Sequence, residues 1–405
     1  MQTALLILGV VLALIWLDRV RDAVSGRKLV PDIAAEPPLP DSACPRIAVI
    51  VPARNEAAQL PRAMASLLAL DYPQLEIIAV NDRSTDETGT ILDEFAARSS
   101  RLRVIHVNAL PEGWLGKTHA MWLAAQQTDA DWLLFTDADI VFRPDTLRRV
   151  MSNVSRTRAD HFVLLPQLET HTLGERALFS FFQLLFVFGH RPWKVSDPKT
   201  RDSIGIGAFN LIRRSTYQEL GTYSALRLAV LDDMMLGEVV KRRGYNQRCG
   251  LGQELISLKW ASGTSQVISN FDKNFFSTMQ YRIGRTLGAV FLLSILNLAP
   301  FLGLWFASGW AKLPYVLALL AMAALYFGVS RSLRISWAYF YLHPISTLVM
   351  IYTLIRSMIL AFRHGGVVWR GTVYPLKELR EQQEETLRNF TPVGPARTAD
   401  EKATQ

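Results

Sequence analysis

Cysteine is nearly missing. Cys44 and Cys249 are the two thiols in 405 residues, and they lie far apart in the chain. They exclude a disulfide framework and a cysteine-built metal cluster, and they suit a reducing, cytosolic setting. No zinc-finger spacing or aromatic RNA-binding signature is present. The surplus of 44 basic over 36 acidic residues gathers beside apolar stretches, at Arg19, Arg21, Arg27, Lys28, Arg282, Arg285, Arg331 and Arg334. That placement fits membrane orientation and anionic lipid, not nucleic acid. Gly113-Trp114-Leu115-Gly116-Lys117-Thr118 ends like a phosphate-binding loop, but the first glycine such a loop requires falls on Pro111. ATPase chemistry is set aside. A basic leader region and a small-residue cleavage site are lacking near the start, so the first apolar stretch reads as a retained anchor and not a cleaved signal.

What is abundant is apolar residue, at 50% against 20% charged, with mean hydropathy +0.15. Disorder is excluded as the dominant state. The uncharged runs stand at the two ends: residues 1–17, then 286–311, 313–330 and 335–355. Each distal run is long enough to be a membrane-span candidate. The middle has ordinary soluble composition. The chain therefore reads as an integral membrane protein with a large aqueous domain between its anchors. Basic residues after the first run favour an outside N-terminus and a cytoplasmic central domain.

Five prolines between residues 31 and 45 mark a linker. Strand-like runs then alternate with helix-like ones: strands over 47–51, 75–80, 102–107, 131–136 and 161–166, helices over 56–70, 88–98, 117–128 and 145–154. Most of the strands are apolar on both faces, which implies an α/β fold with a largely parallel sheet covered on both sides. Chemistry in such sheets gathers beyond the C-terminal strand ends. The polar clusters 53–56, 81–86 and 137–139 stand there. The phenylalanine-rich stretch 177–189 is too short to span a bilayer and reads either as a buried core helix or as an interfacial one framed by Arg176, His190, Arg191 and Trp193.

Asp137 and Asp139, one residue apart at a strand end, can share a divalent cation that keeps waters and bridges substrate phosphates. They can equally be a solvated acidic turn. Asp82 can accept from a nucleobase N–H or a ribose hydroxyl, while Asp86 can cap the next helix. Glu56 offers another polar contact or answers a helix dipole. Lys117 can meet a phosphate or a sugar. Asp232 and Asp233 open an apolar helical pattern; one is a candidate general base, and the pair also fits helix capping.

Taken together, Pro52-Ala53-Arg54-Asn55-Glu56, the turn 81–86, residues 113–120, Asp137/Asp139, residues 205–210 and Asp232-Asp233 resemble the membrane-bound glycosyltransferases of family 2, with the GT-A fold. The likeness covers residues 45–285 and the flanking anchors, and is similar to the bacterial branch of hopene-associated, carotenoid and ceramide-glucosyltransferase-like enzymes. It implies a nucleotide-sugar donor, expected to be a UDP-sugar, with Glu56 and Asp82 around the uridine and Lys117 near the donor. It implies Mg²⁺ or Mn²⁺ on Asp139, with Asp137 toward the nucleotide sugar, and Asp233 as the base for inverting transfer. Gly207, Ala208, Phe209 and Asn210 resemble the acceptor-side loop, with Asp232 beside them, and Phe182 and Phe186 are expected to guide a lipid or lipid-linked acceptor from the bilayer. Two departures stand out. Asn81 replaces one acid of the usual pair, and Gln280-Tyr281-Arg282-Ile283-Gly284-Arg285 is a degraded Gln-x-x-Arg-Trp helix without its tryptophan, in which Arg282 and Arg285 can still face phosphate. The loss argues for single transfer over a processive synthase; a non-catalytic nucleotide-sugar-binding scaffold is the other alternative. No nucleic acid is implied, and no protein partner can be deduced.

The expected order is an anchor at 1–17, a linker at 18–45, the catalytic domain at 46–260, membrane-proximal helices at 261–285, about three membrane helices within 286–362, and a Gly/Arg/Trp segment with a loose polar tail at 363–405. A conflict follows. An outside N-terminus and four spans leave the C-terminus outside, yet 364–374 is a segment useful near a cytoplasmic active site.

Overall fold

The computed structural model describes residues 1–333 and 335–390. The chain divides into two units: one holds Met1–Leu29, Thr170–Trp193 and Trp260–Arg380, and the other holds Val30–Glu169, Lys194–Lys259 and the chain from Glu381 onward.

The second unit is built on a seven-stranded sheet. Its strands are β1 (Ile47–Ala53), β2 (Leu75–Asp82), β3 (Leu102–Val107) and β4 (Trp132–Phe135), joined later by strands from the second half. The short β5 (Val141–Phe142) and β7 (Gln167–Leu168) flank β6 (His161–Leu165); β8 (Asn210–Arg213), β9 (Gln247–Leu251) and β10 (Ile256–Leu258) follow. The order is β3-β2-β1-β4-β8-β6-β9, with a small sheet β5-β10-β7 beside it. Ile47, Ala48, Val49, Ile50 and Val51 are all fully buried, as expected of a central parallel strand of apolar, mostly β-branched residues covered on both faces.

Register decides where the chemistry sits. Ala53 stands beside Asn81, and Ile50 beside Phe135, so the chain leaves β1, β2 and β4 at one edge of the sheet. β8 runs antiparallel to β4, pairing Asn210 with Phe135. The residues entering β8 therefore meet the residues leaving β4. A wholly parallel sheet would have carried them away.

Three boundaries differ from expectation. The stretch 31–45 is not a free linker: Ile33 is fully buried, Arg149 donates to the Ala34 carbonyl at 3.0 Å, and Arg148 donates to that of Leu39 at 3.0 Å. Arginines on the helix Thr146–Thr157 satisfy some carbonyls of this strap, and others are met by two short 3-10 turns, Ile33–Ala35 and Asp41–Ala43, and by the Leu251 N–H. Residues 170–193 leave the catalytic unit altogether. The expected loose tail instead contains the helix Leu376–Asn389, followed by a buried Phe390 that joins the core with Ala120, Ala124 and Tyr217. The rest of that tail, 391–405, lies outside the described residues, as does Arg334.

The first unit is helical. Its long helices are Gln2–Gly26, Leu173–His190, Leu313–Leu333 and His343–Arg363, with Ile283–Asn297 and Ala299–Phe306 bent by 50° at Pro300. Three are long and apolar enough to cross a membrane, or four if the bent pair is one span. Leu173–His190 opens on a capping box between Thr172 and Glu175. Its Phe181 and Leu184 are core residues, while Phe182 and Phe186 are half-buried.

Candidate active site

The turns after β1 and β2 are laced together by their own polar atoms. Asn55, in the left-handed region at φ 55°, accepts from the Thr85 N–H at 2.8 Å. Asp86 accepts from the N–H groups of Thr88 at 3.0 Å and Ala57 at 3.2 Å. Burial opposes its charge, but these hydrogen bonds hold its carboxyl below the usual range. Asn81, which replaces an acid of the family pattern, bonds His106 Nδ1 at 3.0 Å and takes part in fixing the turn. Asp82 is buried, and the Arg83 fork grips it at 2.8 and 3.0 Å. This pair lies over Gly116, where a Cβ would come within 2.2 Å of Asp82 Oδ2. Glycine is required there because the helix Gly116–Ala125 starts under the carboxylate.

Lys117 follows on that helix and bridges two walls. Its ammonium lies 2.8 Å from Asp137 Oδ1 and 3.3 Å from Asp232 Oδ2. Burial opposes the charge, but Asp137, Asp232 and Asp233 outweigh it and hold Lys117 above its ordinary pKa. The backbone closes the same junction: the Asp137 N–H donates to the Gly207 carbonyl at 3.0 Å, and the Gly207 N–H donates to Asp233 Oδ2 at 2.6 Å. Asp233 Oδ1 accepts from the Met234 N–H at 2.8 Å. Desolvation raises its pKa, against the pull of Lys117 and of these amides. One carboxylate is thus pinned at both oxygens, at the start of the helix Asp232–Arg242, whose dipole favours it.

Behind this wall lies a buried polar chain that the sequence did not disclose. Gln247 accepts from the Ile204 N–H at 3.1 Å, and donates to the Gly237 carbonyl at 3.0 Å and to His161 Nδ1 at 2.9 Å. His161 Nε2 bonds Asn210, whose amide lies 3.4 Å from the Asp233 carbonyl oxygen. With Nδ1 accepting, the imidazole is the neutral Nε2–H tautomer, and burial pushes its pKa down to about 4.

The sequence candidates therefore separate. Lys117, Asp137, Gly207, Asp232 and Asp233 converge. Glu56 and Asp139 face the same charge cluster, since burial, then Asp137, then Glu56 push Asp139 up to about 7. Ala208, Phe209 and Asn210 were expected on the acceptor side, but they are 3%, 0% and 1% exposed. The first two are core residues and the third belongs to the His161 chain, because β8 begins at once and turns them inward. Arg282 and Arg285 belong to the helical unit, where Arg285 bonds Gln280. The expected helix is broken there, with Gln280 and Tyr281 both left-handed at φ 54° and 55°. Phe182 and Phe186 are in that unit too, Phe182 packing 5.0 Å from Phe271. Arg83 and His119 went unread. His119 is buried beside Trp114 and Trp122, and Nδ1 makes no hydrogen bond among the described residues.

A divalent cation fits the acidic end. Asp139 Oδ1 is buried and makes no hydrogen bond among the described residues. A second carboxylate, Asp137, stands beside it. No three His, Cys, Asp or Glu side chains form a preformed cage among the described residues. Two carboxylates with the remaining positions left to water and substrate oxygen suit Mg²⁺ or Mn²⁺.

This geometry has relatives. Residues 48–221 match the family described as Glycosyl transferase family 2. They form a family 2 glycosyltransferase domain. Among curated proteins, the 4,4'-diaponeurosporenoate glycosyltransferase of Staphylococcus haemolyticus is 25% identical over 238 residues, covering 56% of this chain and 60% of that relative. The protein of that name from Staphylococcus aureus strain USA300 is 21% identical over 345 residues, 82% of this chain and 89% of its own. Among solved structures, the mannosyltransferase PcManGT of Pyrobaculum calidifontis, in complex with GDP-Man and Mn²⁺, superposes with a TM-score of 0.50 at 18% identity, covering 88% of this chain and 98% of its own. That likeness is one of fold: the glycosyltransferase domain shares its mixed α/β, GT-A architecture.

Proposed function

We propose that the glycosyltransferase domain moves one sugar from a nucleotide-sugar donor to a lipid or lipid-linked acceptor at a bacterial membrane, inverting the anomeric carbon. The observation that carries this is the Gly207 junction, where a pinned carboxylate, Asp233, and the Asp137/Asp139 pair stand on either side of one glycine around Lys117. A Cβ on Gly207 would lie 2.5 Å from Asp137 Oδ2. The space is kept free where donor and acceptor would meet.

In this scheme Glu56, Asp82 and Lys117 bind the donor, with Arg83 setting the Asp82 carboxylate. Asp139 and Asp137 would hold Mg²⁺ or Mn²⁺, which when bound supplies positive charge to the departing diphosphate. Asp233 already accepts one N–H at each oxygen, and a carboxylate has lone pairs left for a third bond. It takes the proton of the acceptor hydroxyl as that oxygen bonds the anomeric carbon from the face opposite the diphosphate. The sugar–phosphate bond breaks, and the nucleoside diphosphate leaves. Diaponeurosporenoate, named for the relatives, is a carboxylate, and such an acceptor would arrive ionised and need no base. The broken Gln280–Arg285 segment supports single transfer. The apolar helices and the bacterial relatives support a bacterial membrane enzyme, which we place in the inner membrane, and the basic residues after the first apolar run favour this domain in the cytoplasm.

The test is purified full-length protein in lipid nanodiscs, given UDP- and GDP-sugars with membrane lipid extract. The expected product is a lipid carrying one sugar, formed with Mg²⁺ or Mn²⁺ and lost in chelator. A ladder of longer glycans would favour a polymerising synthase, and nucleotide-sugar binding without turnover a scaffold.

A further inference from the structure

The chain that leaves the glycosyltransferase unit after Lys259 rejoins it at Glu381. Arg227 Nε donates to Gln382 Oε1 at 3.1 Å, Thr386 Oγ1 lies 3.3 Å from the Ala225 carbonyl oxygen, and the Arg243 guanidinium sits 4.9 Å from the Phe390 ring centre. Both ends of the excursion are therefore in one compartment. Whatever crosses a bilayer between them must cross an even number of times. Yet the excursion holds three apolar segments: the bent pair ending at Phe306, Gly309–Arg331 and Trp337–Arg363. If the membrane assignment proposed above holds, on which this inference rests, one of the three does not cross.

Contacts within the helical unit say which. Gln2–Gly26 leads into the catalytic unit near Val30, so Gln2 marks the far side of the membrane. The Gln2 side chain donates to the Phe306 carbonyl at 3.3 Å and accepts from the Ser308 N–H at 3.1 Å. The bent pair thus ends on the far side, which is the first crossing. Tyr315 OH donates to the Leu5 carbonyl at 2.7 Å, and Tyr315 and Pro314 lie against Gly9. Residue numbers rise together along the two helices, so Leu313–Leu333 runs parallel to Gln2–Gly26 and returns to the near side. That is the second crossing, and the third segment has none left to make.

Its side chains agree. Ile345, Leu348, Tyr352, Ile359 and Phe362 form one exposed stripe, 43–59% accessible, while Ser346, Thr347, Thr353 and Ser357 on the other side are at most 2% accessible. Ser357 Oγ accepts from the Phe276 N–H at 3.0 Å, and Arg356 grips Asp272 at 2.9 Å. The hydroxyls and the ion pair face protein, and the apolar stripe is left for lipid. Arg363, His364 and Arg370 follow, suited to anionic headgroups. The geometry points to His343–Arg363 as a helix lying in the near-side bilayer surface, its Ile345–Phe362 stripe bedded at the headgroup–acyl boundary. The chain from Glu381 to Phe390 then lies on the catalytic unit's side, and the parity conflict disappears.

Single cysteines at exposed Ser308, Ser336 and Lys377, in a Cys44→Ala, Cys249→Ala chain, are labelled with a membrane-impermeant maleimide in intact and permeabilised cells. Ser308→Cys is expected to react in intact cells, and Ser336→Cys and Lys377→Cys only after permeabilisation. Labelling of Ser336→Cys and Lys377→Cys from opposite sides would overturn the inference by making the helix a span. If Ser308→Cys also reacts only after permeabilisation, the first helix does not cross, and the membrane assignment fails with it. Epitopes inserted at the same three places in the native-cysteine chain, read by antibody, give the same discrimination should the cysteine-free chain fold poorly.

Discussion

Asp232 and Asp233 are neighbours with different surroundings. Asp233 is held by the Gly207 and Met234 amides; Asp232 is buried and pairs with Lys117 at 3.3 Å. Asp233→Asn keeps the shape and removes the proposed base, so kcat on a hydroxyl acceptor should fall by roughly 10²–10⁴ while donor affinity stays within several-fold. Asp232→Asn should instead weaken donor binding by loosening Lys117. Single-turnover rates and donor affinities measured on both separate the two roles, and a fast Asp233→Asn enzyme would remove the base assignment. Asp139→Ala should abolish the Mn²⁺ dependence of nucleotide binding, read by calorimetry on the folded variant. His161 makes a pH prediction. Its folded pKa of about 4 lies below the 6.5 of the free side chain. The stability it permits is complete above pH 6.5 and is lost as pH falls toward 4, because the unfolded chain takes up the proton first. The slope is about 1.4 kcal/mol per pH unit. His161→Gln should flatten the fall in urea midpoint between pH 6.5 and 5; an unchanged slope would assign it to other groups.

At the scale of elements, two glycines let a loop touch a helix. A Cβ on Gly205 would lie 1.7 Å from the Asp233 carbonyl oxygen, and one on Gly237 would lie 2.0 Å from that of Ile204. Gly205→Ala should push the start of the helix Asp232–Arg242 outward, costing about 1–3 kcal/mol in stability. It should also lower kcat more than donor affinity, which parallel unfolding and turnover measurements on the variant would check. Neither contact was legible beforehand, since each joins residues far apart in the chain. What could be read was local: the β-branched run of β1, the apolar run of β4, and the acids placed just beyond them. β8 and β9 were not. Asn210-Leu-Ile-Arg is too short to declare its direction, and Gln247-Arg-Cys-Gly-Leu carries an amide, a charge and a glycine that look unlike a buried strand until the His161 chain supplies their partners. The strap 31–45 misled for a related reason. Prolines deny it a long ladder, and its carbonyls are satisfied piecemeal, by short 3-10 turns and by arginines from another helix.

At the scale of the molecule, the catalytic unit is assembled from three stretches of chain, and the last, from Glu381, looked like a solvated tail because most of Leu376–Asn389 is charged or polar. Its few apolar residues, Leu376, Leu379, Leu387 and Phe390, hint at a packed side. Phe390 is 6% exposed. Phe390→Ala should lower unfolding stability by about 3 kcal/mol, and removing residues 376–405 should cost more. Thermal unfolding of both in nanodiscs checks this, and unchanged midpoints would return the helix to the status of a tail.

That closing helix also orders events during synthesis. The β-sheet and the acidic cluster emerge from the ribosome well before the distal apolar helices, but the core that includes Phe390 stays open until those helices have been made and the chain has come back. An enzyme wired in this way is finished by its last described helix and Phe390. If the proposed membrane placement holds, a chain whose apolar helices stall half-inserted lacks the helix that closes the core of its catalytic unit, so insertion and a completed catalytic unit arrive together.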